Sequence, residues 1–359
     1  MRIALAYNAK PPERDAIRAA RPELLVEEED EPPSLDPEAS EDLYAEWDDA
    51  ETVLALASAL EKRHQVTLVE ARDDFARRIR AARPDLVFNI AEGFYGASRE
   101  AQVPAILEML GIPYTGSDPL TLALCLDKAR AKEVLAYRGV STAPFVVVED
   151  AGEIPSARQV PLPAMVKPLF EGSSKGIRDD QLVWDEAALE DRVRRILGTY
   201  RQPALVEAFL PGREYTVAIL GNGAGLRMLP PVEIRFDVFP AGANPIYSWE
   251  AKWVWDRPEA PLQVFDCPAR MTPEEAEAIE ALCRRTARVL RLRDWARIDV
   301  RLDAAGVPNV LEVNPLPGVL PDPVANSCYP KAARAAGLDY GAMVLAVADA
   351  ALERLGRTP

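Results

Sequence analysis

Two short stretches near the end of the chain place acidic, amide and guanidinium side chains at alternating positions. In the stretch 296–303, Arg297 and Asp299 alternate with apolar residues, and in the stretch 309–314 Glu312 and Asn314 do the same. A period of two is typical of half-buried strands. The residues 304–307 between them contain Gly306 and predict a hairpin turn, so the two stretches are expected to pair.

Burial of the apolar side chains predicts the register of this hairpin. One face is expected to hold two apolar cross-strand pairs, Ile298–Val313 and Val300–Leu311. The other face then places Asp299 opposite Glu312 and Arg297 opposite Asn314. Two carboxylates held opposite each other repel, so a hard divalent cation between them would explain the pair. The alternative is a solvated polar face with no ligand, because charged alternating positions are common on exposed sheets.

A second group of residues with chemical potential follows the predicted strand 164–168. The loop Glu171-Gly-Ser-Ser-Lys-Gly176 is rich in small residues and donors, and Lys167 lies near the end of the strand before it. Glycines permit close backbone approach, and hydroxyl, amide and lysine groups donate to phosphate oxygens. The loop is not a Walker A sequence, and by itself it favours an ordinary hairpin connection. Combined with the distant Asp/Glu/Asn hairpin, however, it predicts metal-assisted phosphoryl transfer.

Composition limits the function classes that remain. The chain has 359 residues, a size that suits two or three domains, and a formal net charge of -15. That charge argues against binding nucleic acid or anionic lipid through bulk electrostatics. The four cysteines, which are expected to be reduced thiols, have no CxxC spacing. With His64 the single histidine, a histidine-rich zinc site and a Ser/His triad are both disfavoured.

The remaining patterns predict three consecutive domains. Residues 1–117 alternate strands and helices as in an α/β domain with a mostly parallel sheet, interrupted by an acidic surface insertion at 27–42. Residues 118–210 begin with one helix running toward Arg138 and continue as a small α+β unit, and residues 211–359 contain the hairpin. Thr272 is expected to begin a helix as part of a capping box. The N-terminus lacks a signal peptide and no stretch is apolar enough to span a bilayer, which predicts a cytoplasmic protein with no membrane partner.

Several motifs, in order from about Pro84 to Leu338, resemble the D-alanine–D-alanine ligase family of the ATP-grasp superfamily. The motifs are 166–168 with 171–174, Glu207 with 211–217, 250–252, 297–300 and 312–314. The resemblance implies a three-domain ATP-grasp fold, combining α/β and α+β units, with a Rossmann-like N-terminal domain. It also implies small amino acid substrates and a homodimer.

The resemblance further implies roles for individual residues. ATP would be bound by Lys128 and Lys167 at the phosphates, Glu207 by the adenine and Glu214 by the ribose, with Glu171, Ser173, Ser174 and Lys252 completing that site. Two Mg²⁺ ions, with Mn²⁺ as an alternative, would be held by Asp299, Glu312 and Asn314. Lys252 would reach the transferred phosphate, Ser173 would lie near the first amino acid, and Arg297 and the Gly318 amide would stabilise the oxyanion.

Departures from the family pattern fall on the amino acid side of the site. Residues 1–10 lack the glycine-rich stretch and glutamate that grip the first amino group, and Glu46 or Asp48 is the candidate replacement. Glu92 replaces a histidine as a candidate substrate contact. Trp253 stands where a tyrosine is usual, and Ser327 is the candidate for binding the second carboxylate, after about two extra residues.

The favoured function is therefore ATP-dependent ligation of two D-alanines through an acyl phosphate, for peptidoglycan synthesis. Two alternatives stay open. The first is an ATP-grasp ligase that joins a different amino acid or amine pair, because the departures lie near the substrates. The second is a nucleotide-binding scaffold or sensor without catalysis, which the retained Lys252, Arg297 and Asp299 disfavour.

Overall fold

The computed structural model describes residues 1–26, 44–256 and 262–358. The predicted acidic insertion at 27–42 lies outside these residues. Three sheets organise the fold, and one falls in each of the three predicted segments of the chain. The boundaries after residues 117 and 210 remain predictions.

The first sheet is parallel, with the strand order β2-β1-β3. On β1, Ile3 and Leu5 contribute to one hydrophobic core while Ala4 and Ala6 contribute to another, the two-sided burial of a parallel strand flanked by helices. Its elements are β1 (Arg2–Tyr7), α1 (Pro11–Ala20), α2 (Ala50–Glu61), β2 (Gln65–Glu70), α3 (Phe75–Ala82), β3 (Leu86–Asn89) and α4 (Gln102–Leu110). Short 3-10 helices occupy Pro22–Leu24 and Arg99–Ala101.

The second sheet is antiparallel, with the order β4-β7-β5-β6. Its segment contains α5 (Pro119–Leu126), α6 (Lys128–Tyr137), β4 (Phe145–Val148), β5 (Ala164–Pro168), β6 (Leu182–Val183), α7 (Glu186–Thr199) and β7 (Ala204–Ala208). Short 3-10 helices lie at Ala151–Gln159 and Asp179–Gln181.

The prediction of one helix from residue 118 toward Arg138 is wrong. Asp127 interrupts it in an extended conformation, and its side chain accepts a hydrogen bond from the backbone N–H of Arg130. Asp127 thus ends α5 and caps α6, because aspartate competes for backbone N–H groups and favours helix starts. The break makes Lys128 the first residue of α6.

The third sheet is antiparallel, with the order β11-β10-β8-β12-β13 and β9 added to β8. Its segment contains β8 (Glu214–Leu220), β9 (Arg227–Met228), β10 (Val232–Ile234), β11 (Phe265–Asp266), α8 (Pro273–Leu290), β12 (Trp295–Leu302), β13 (Pro308–Asn314), α9 (Cys328–Ala335) and α10 (Tyr340–Arg354). A 3-10 turn at Gly223–Gly225 and a π-helical turn at Ala251–Trp255 complete it. Thr272 caps α8 as predicted, since its Oγ1 accepts the Glu275 N–H at 3.2 Å.

One hydrophobic core joins the first and last segments of the chain. It contains residues of β1, α2, β8 and α10, and the Trp295 ring meets Phe88 at 5.7 Å and Tyr329 at 5.5 Å between ring centroids. These two segments therefore share one core. The middle segment, which carries the second sheet, contacts both of them.

No single helix in the described part of the chain is long and apolar enough to cross a bilayer. The pair α9 and α10 reaches the required length and hydropathy only when taken together, and the two helices meet at a bend of 97°.

Candidate active site

A cavity of about 300 Å³ lies where the three sheets meet. It collects residues that stand far apart in the chain, from Lys10 to Cys328. Nearly all of the sequence-predicted site residues line it: Glu92, Lys128, Lys167, Glu171, Ser173, Ser174, Glu207, Glu214, Lys252, Arg297, Asp299, Glu312, Asn314, Gly318 and Ser327. The exception is Trp253, whose side chain lies outside the described residues.

The strands β12 and β13 pair as predicted at the end nearest the cavity. Asp299 lies opposite Glu312, Arg297 opposite Asn314, and Ile298 opposite Val313. The prediction that Val300 pairs with Leu311 is wrong, because a β-bulge after Asp299 shifts the register and Val300 faces Val310 instead.

The bulge changes which side chains face the cavity. Val310 is buried in the core, whereas Leu311 and Glu312 both line the cavity. An extra residue in one strand has this effect because it breaks the strict alternation of faces. The signal available in the sequence was the apolar doublet Val310-Leu311, which a regular alternating strand would not contain.

Polar contacts tie the hairpin carboxylates to cations and an amide. Arg297 donates from Nε and Nη2 to the two oxygens of Asp299 at 3.0 and 2.8 Å, and Asn314 Nδ2 donates to Asp299 Oδ2 at 3.1 Å. Lys128 Nζ lies 3.3 Å from Glu312 Oε1. Burial would raise the pKa of Glu312, but Lys128, Lys167 and Arg297 outweigh it and hold that pKa below its usual range.

This donor set fits a hard divalent cation. Asp299 and Glu312 offer carboxylate oxygens from adjacent strands, and Asn314 adds an amide oxygen, since its amide nitrogen is the atom bonded to Asp299. No group of three or more His, Cys, Asp or Glu residues suited to a metal occurs in the part of the chain that the structure describes. Two carboxylates plus phosphate oxygens from a substrate is the ligation that Mg²⁺ favours.

A buried cluster of charged side chains contacts the hairpin, where Lys132 Nζ lies 3.5 Å from the Val310 carbonyl. Glu207 is 1% exposed and pairs with Lys132 Nζ at 2.9 Å and with Lys167, while Lys132 Nζ also donates to Thr142 Oγ1 at 2.7 Å. Burial alone would raise the pKa of Glu207, but the two lysines lower it to about 2. Lys132 was not anticipated from the sequence; its helical spacing of four residues after Lys128 was the available signal.

The glycine-serine loop is held in a specific shape. Ser173 and Ser174 have φ values of +49° and +61°, and Ser174 Oγ donates to the Tyr247 carbonyl at 3.1 Å. Glu171 receives Lys175 at 2.7 Å and Gln202 at 2.8 Å, while Lys128 Nζ donates to its backbone carbonyl. Positive φ at two serines is uncommon, so the tertiary contacts impose the loop conformation.

The N-terminal segment contacts this loop through a buried arginine that the sequence reasoning missed. Arg99 Nη2 donates to both oxygens of Glu46 at 2.7 and 2.8 Å, and Arg99 Nη1 donates to the Phe170 carbonyl at 2.8 Å. The Gly172 N–H also donates to Glu46 at 2.7 Å, and a Cβ at Gly172 would lie 2.6 Å from that oxygen. Glu46 is therefore engaged by protein donors at both oxygens.

Other residues predicted to contact the substrates or the transferred phosphate also line the cavity. Burial and the nearby Glu100 raise the pKa of Glu92 above its usual range. Ser327 Oγ accepts from the Leu320 N–H and donates to the Gly318 carbonyl, both at 3.2 Å. Lys252 lies in the π-helical turn, where burial and Arg297 lower its pKa to about 8.

The sequence of this chain is similar to those of D-alanine–D-alanine ligases. A family model described as the D-ala D-ala ligase C-terminus matches residues 134–348. A D-alanine–D-alanine ligase of Pelotomaculum thermopropionicum is 34% identical over 305 residues, covering 82% of this chain and 89% of the relative. An uncharacterised protein of Sinorhizobium fredii, y4sG, is 38% identical over 269 residues, 75% of each chain.

Solved structures give the same picture at the level of fold. The crystal structure of a D-alanine–D-alanine ligase from Bacillus anthracis complexed with ATP aligns with 99% of this chain and 97% of its own chain. The TM-score is 0.70 at 20% sequence identity, which shows a shared architecture.

Proposed function

This chain belongs to the D-alanine–D-alanine ligase family of ATP-dependent ligases, and we propose that it joins two D-alanine molecules at the expense of ATP, for peptidoglycan synthesis. The carboxylate of the first D-alanine takes the γ-phosphoryl group, giving an acyl phosphate and ADP. The amine of the second then attacks the acyl carbon, loses a proton and displaces phosphate. The single observation that carries this proposal is the opposed pair Asp299 and Glu312, beside Lys128 and Arg297 in one cavity.

We propose that the nucleotide lies along the second and third sheets. The apolar side chains Met165, Phe209 and Leu311 line this part of the cavity and suit a base, with Glu207 beside it. Glu214 has an acceptor oxygen for ribose hydroxyls. The loop carrying Glu171, Ser173 and Ser174 supplies N–H and hydroxyl donors to the phosphates. The ammonium groups of Lys128, Lys167 and Lys252 add positive charge there.

In this proposal Asp299, Glu312 and Asn314 would hold the divalent ions, which would neutralise charge on the phosphates. We propose two Mg²⁺ ions, with Mn²⁺ as a substitute, since two carboxylates and one amide offer enough oxygens to share between them. Arg297 and the Gly318 N–H stabilise the oxyanion that forms at the acyl carbon, a type of contact worth roughly 3 kcal/mol of barrier per donor.

A second candidate is a ligase of the same mechanism that joins a different pair of amino acids. It is favoured by the acidity of the cavity at the end proposed to bind the amino acid substrates. Glu92, Glu100 and Asp48 lie together there, and burial raises the pKa of each. Glu46, a candidate grip for the first amino group, is bound to Arg99 instead. Glu92 and Asp48 are thus the carboxylates we propose for the amines.

The experiment that tests the function is ATP-dependent phosphate release with Mg²⁺ over a panel of D- and L-amino acids, with mass spectrometry of the products. D-alanyl-D-alanine is the expected product. Turnover only with another pair would retain the ligase mechanism and replace the substrate. Nucleotide binding with no turnover on any pair would contradict the proposal and favour the scaffold.

We expect an alkaline limb in the pH profile that depends on Lys252. A lysine whose pKa is about 8 is charged below that pH and neutral above it, so contact with the phosphates weakens as the pH rises through 8. kcat/KM for ATP should therefore fall about 25-fold between pH 7.5 and 9.5, in step with the charged fraction of Lys252. Lys252→Arg stays protonated and should remove this fall; an unchanged profile in that variant would contradict the assignment.

We further propose that the protein acts as a homodimer in the cytoplasm, where ATP is available. Met109 of α4 and Leu120 of α5 are 75% and 71% exposed on neighbouring helices, which supports a self-association surface. Light scattering after size-exclusion chromatography measures the oligomeric state directly.

A further inference from the structure

Arg301 lies at the nucleotide end of the cavity and carries more buried polar contacts than its place on an alternating strand would suggest. It follows Asp299 by two residues, so it shares the cavity face of β12, and it lies opposite Glu214 on β8. Arg301 is only 4% exposed. A buried guanidinium needs a carboxylate and further acceptors, because an unpaired charge in the protein interior is strongly destabilising.

Those partners hold the guanidinium in one orientation. Nη1 donates to Glu214 Oε2 at 2.7 Å, and Nη2 donates to the Pro245 carbonyl at 3.0 Å. The guanidinium carbon lies 4.4 Å from the ring centroid of Phe209 and 4.9 Å from that of Phe236. The two ring contacts and the planar fork of donors together fix the orientation of the guanidinium. A lysine ammonium, which lacks the planar fork, would not be held in this way.

As a result, one carboxylate oxygen of Glu214 is hydrogen-bonded to Arg301 and the other is available to a ligand. Glu214 Oε2 is bonded to Arg301, and Oε1 has no donor among the residues that the structure describes. Burial raises the pKa of Glu214 above its usual range, although Arg301 partly opposes that rise. Glu214 lines the cavity, and its partner Arg301 contacts the ring of Phe209, an apolar residue that also lines it. A hydroxylated sugar attached to a base that packs on such apolar side chains would meet the available oxygen.

We propose that Arg301 is the positioning residue that makes Glu214 select a ribonucleotide over a 2′-deoxyribonucleotide. It holds the carboxylate so that Oε1 accepts hydrogen bonds from the ribose hydroxyls, and the 2′-hydroxyl is the group whose loss leaves that buried acceptor unpaired. Arg301 would act through Glu214 and not on the transferred phosphate. This inference rests on the proposed nucleotide site but not on the identity of the amino acids.

The test compares binding of ADP and 2′-deoxyADP by calorimetry in the presence of Mg²⁺. The wild-type protein is expected to bind ADP at least 30-fold more tightly. Arg301→Met should reduce that ratio to about threefold or less, and Glu214→Gln should reduce it in the same direction. Arg301→Met with the wild-type ratio would overturn the proposal, as would a wild-type protein that binds both nucleotides equally.

Two further variants separate positioning from general loss of structure. Arg213→Met is the matched control, because Arg213 also pairs with a glutamate, Glu233, at 2.6 Å and stacks on an aromatic ring, Tyr215, but does not line the cavity. It should keep the wild-type ratio. If Arg301→Met does not fold, Arg301→Lys keeps the charge without the planar fork and should still lower the ratio at least threefold; an unaltered ratio there would overturn the proposal.

The proposed function and this inference can fail separately. ADP binding requires no amino acid, so a wrong substrate pair leaves the nucleotide comparison intact. Conversely, a wild-type protein that produces D-alanyl-D-alanine while Arg301→Met keeps full discrimination would retain the function and remove the role of Arg301.

Discussion

Asp299→Asn is expected to lower kcat/KM for ligation at least a thousandfold, which corresponds to about 4 kcal/mol of transition-state stabilisation. Asp299 accepts both donors of Arg297 and the amide of Asn314, and it faces Glu312 across the hairpin. The substitution removes a charged ligand oxygen and also releases Arg297 from its fixed orientation. Initial rates of phosphate release at saturating Mg²⁺ and ATP, over a range of D-alanine concentrations, measure the loss in kcat/KM.

The matched control for this experiment is Asp303→Asn in the same hairpin. Asp303 accepts from the Ala305 and Val307 N–H groups at 2.8 and 2.9 Å in the turn, and it does not line the cavity. Asparagine also forms such turns, so turnover should stay within threefold of the wild type. Wild-type turnover in Asp299→Asn would exclude Asp299 as a metal ligand. If neither the wild type nor the variant turned over but both bound a protein partner, the non-catalytic scaffold would be favoured.

Glu207→Leu is expected to destabilise the protein by roughly 3–5 kcal/mol, because it leaves Lys132 and Lys167 buried without their shared carboxylate. Glu207 is 1% exposed, so solvent cannot replace the lost partner. Chemical denaturation followed by circular dichroism measures the change. Glu190→Ala is the control, since its pair with Arg194 is solvent-exposed and worth less than about 1 kcal/mol. Equal shifts in the two variants would contradict the buried-cluster interpretation.

The same cluster predicts how stability depends on pH. The pKa of Glu207 is lowered to about 2, below its unfolded value, so its contribution is fully present above pH 4.5 and is lost as the pH falls toward 2. A shift of this size is worth about 3 kcal/mol. The stability difference between the wild type and Glu207→Leu should therefore shrink between pH 4.5 and 2, and a constant difference would contradict this account.

The local patterns of the sequence were sufficient for several parts of this structure. Alternation of apolar and polar residues predicted the β12–β13 hairpin and placed Asp299 opposite Glu312, because one buried face allows only one register near the paired carboxylates. The helix start at Thr272 was confirmed for a similar reason, since an N-cap depends on a few adjacent residues. The Glu275 carboxylate, predicted to complete a capping box, accepts instead from Tyr215 and Arg213. The family resemblance supplied the fold, which the comparisons confirm.

Other features required contacts between residues far apart in the chain. The bulge that turns Leu311 to the cavity depends on how β12 pairs simultaneously with β8 and β13. Arg99, Lys132 and Arg301 look like ordinary surface charges in sequence. Only the tertiary structure buries them against Glu46, Glu207 and Glu214, because burial, and with it the need for a charged partner, is a property of the packed chain and not of any local pattern.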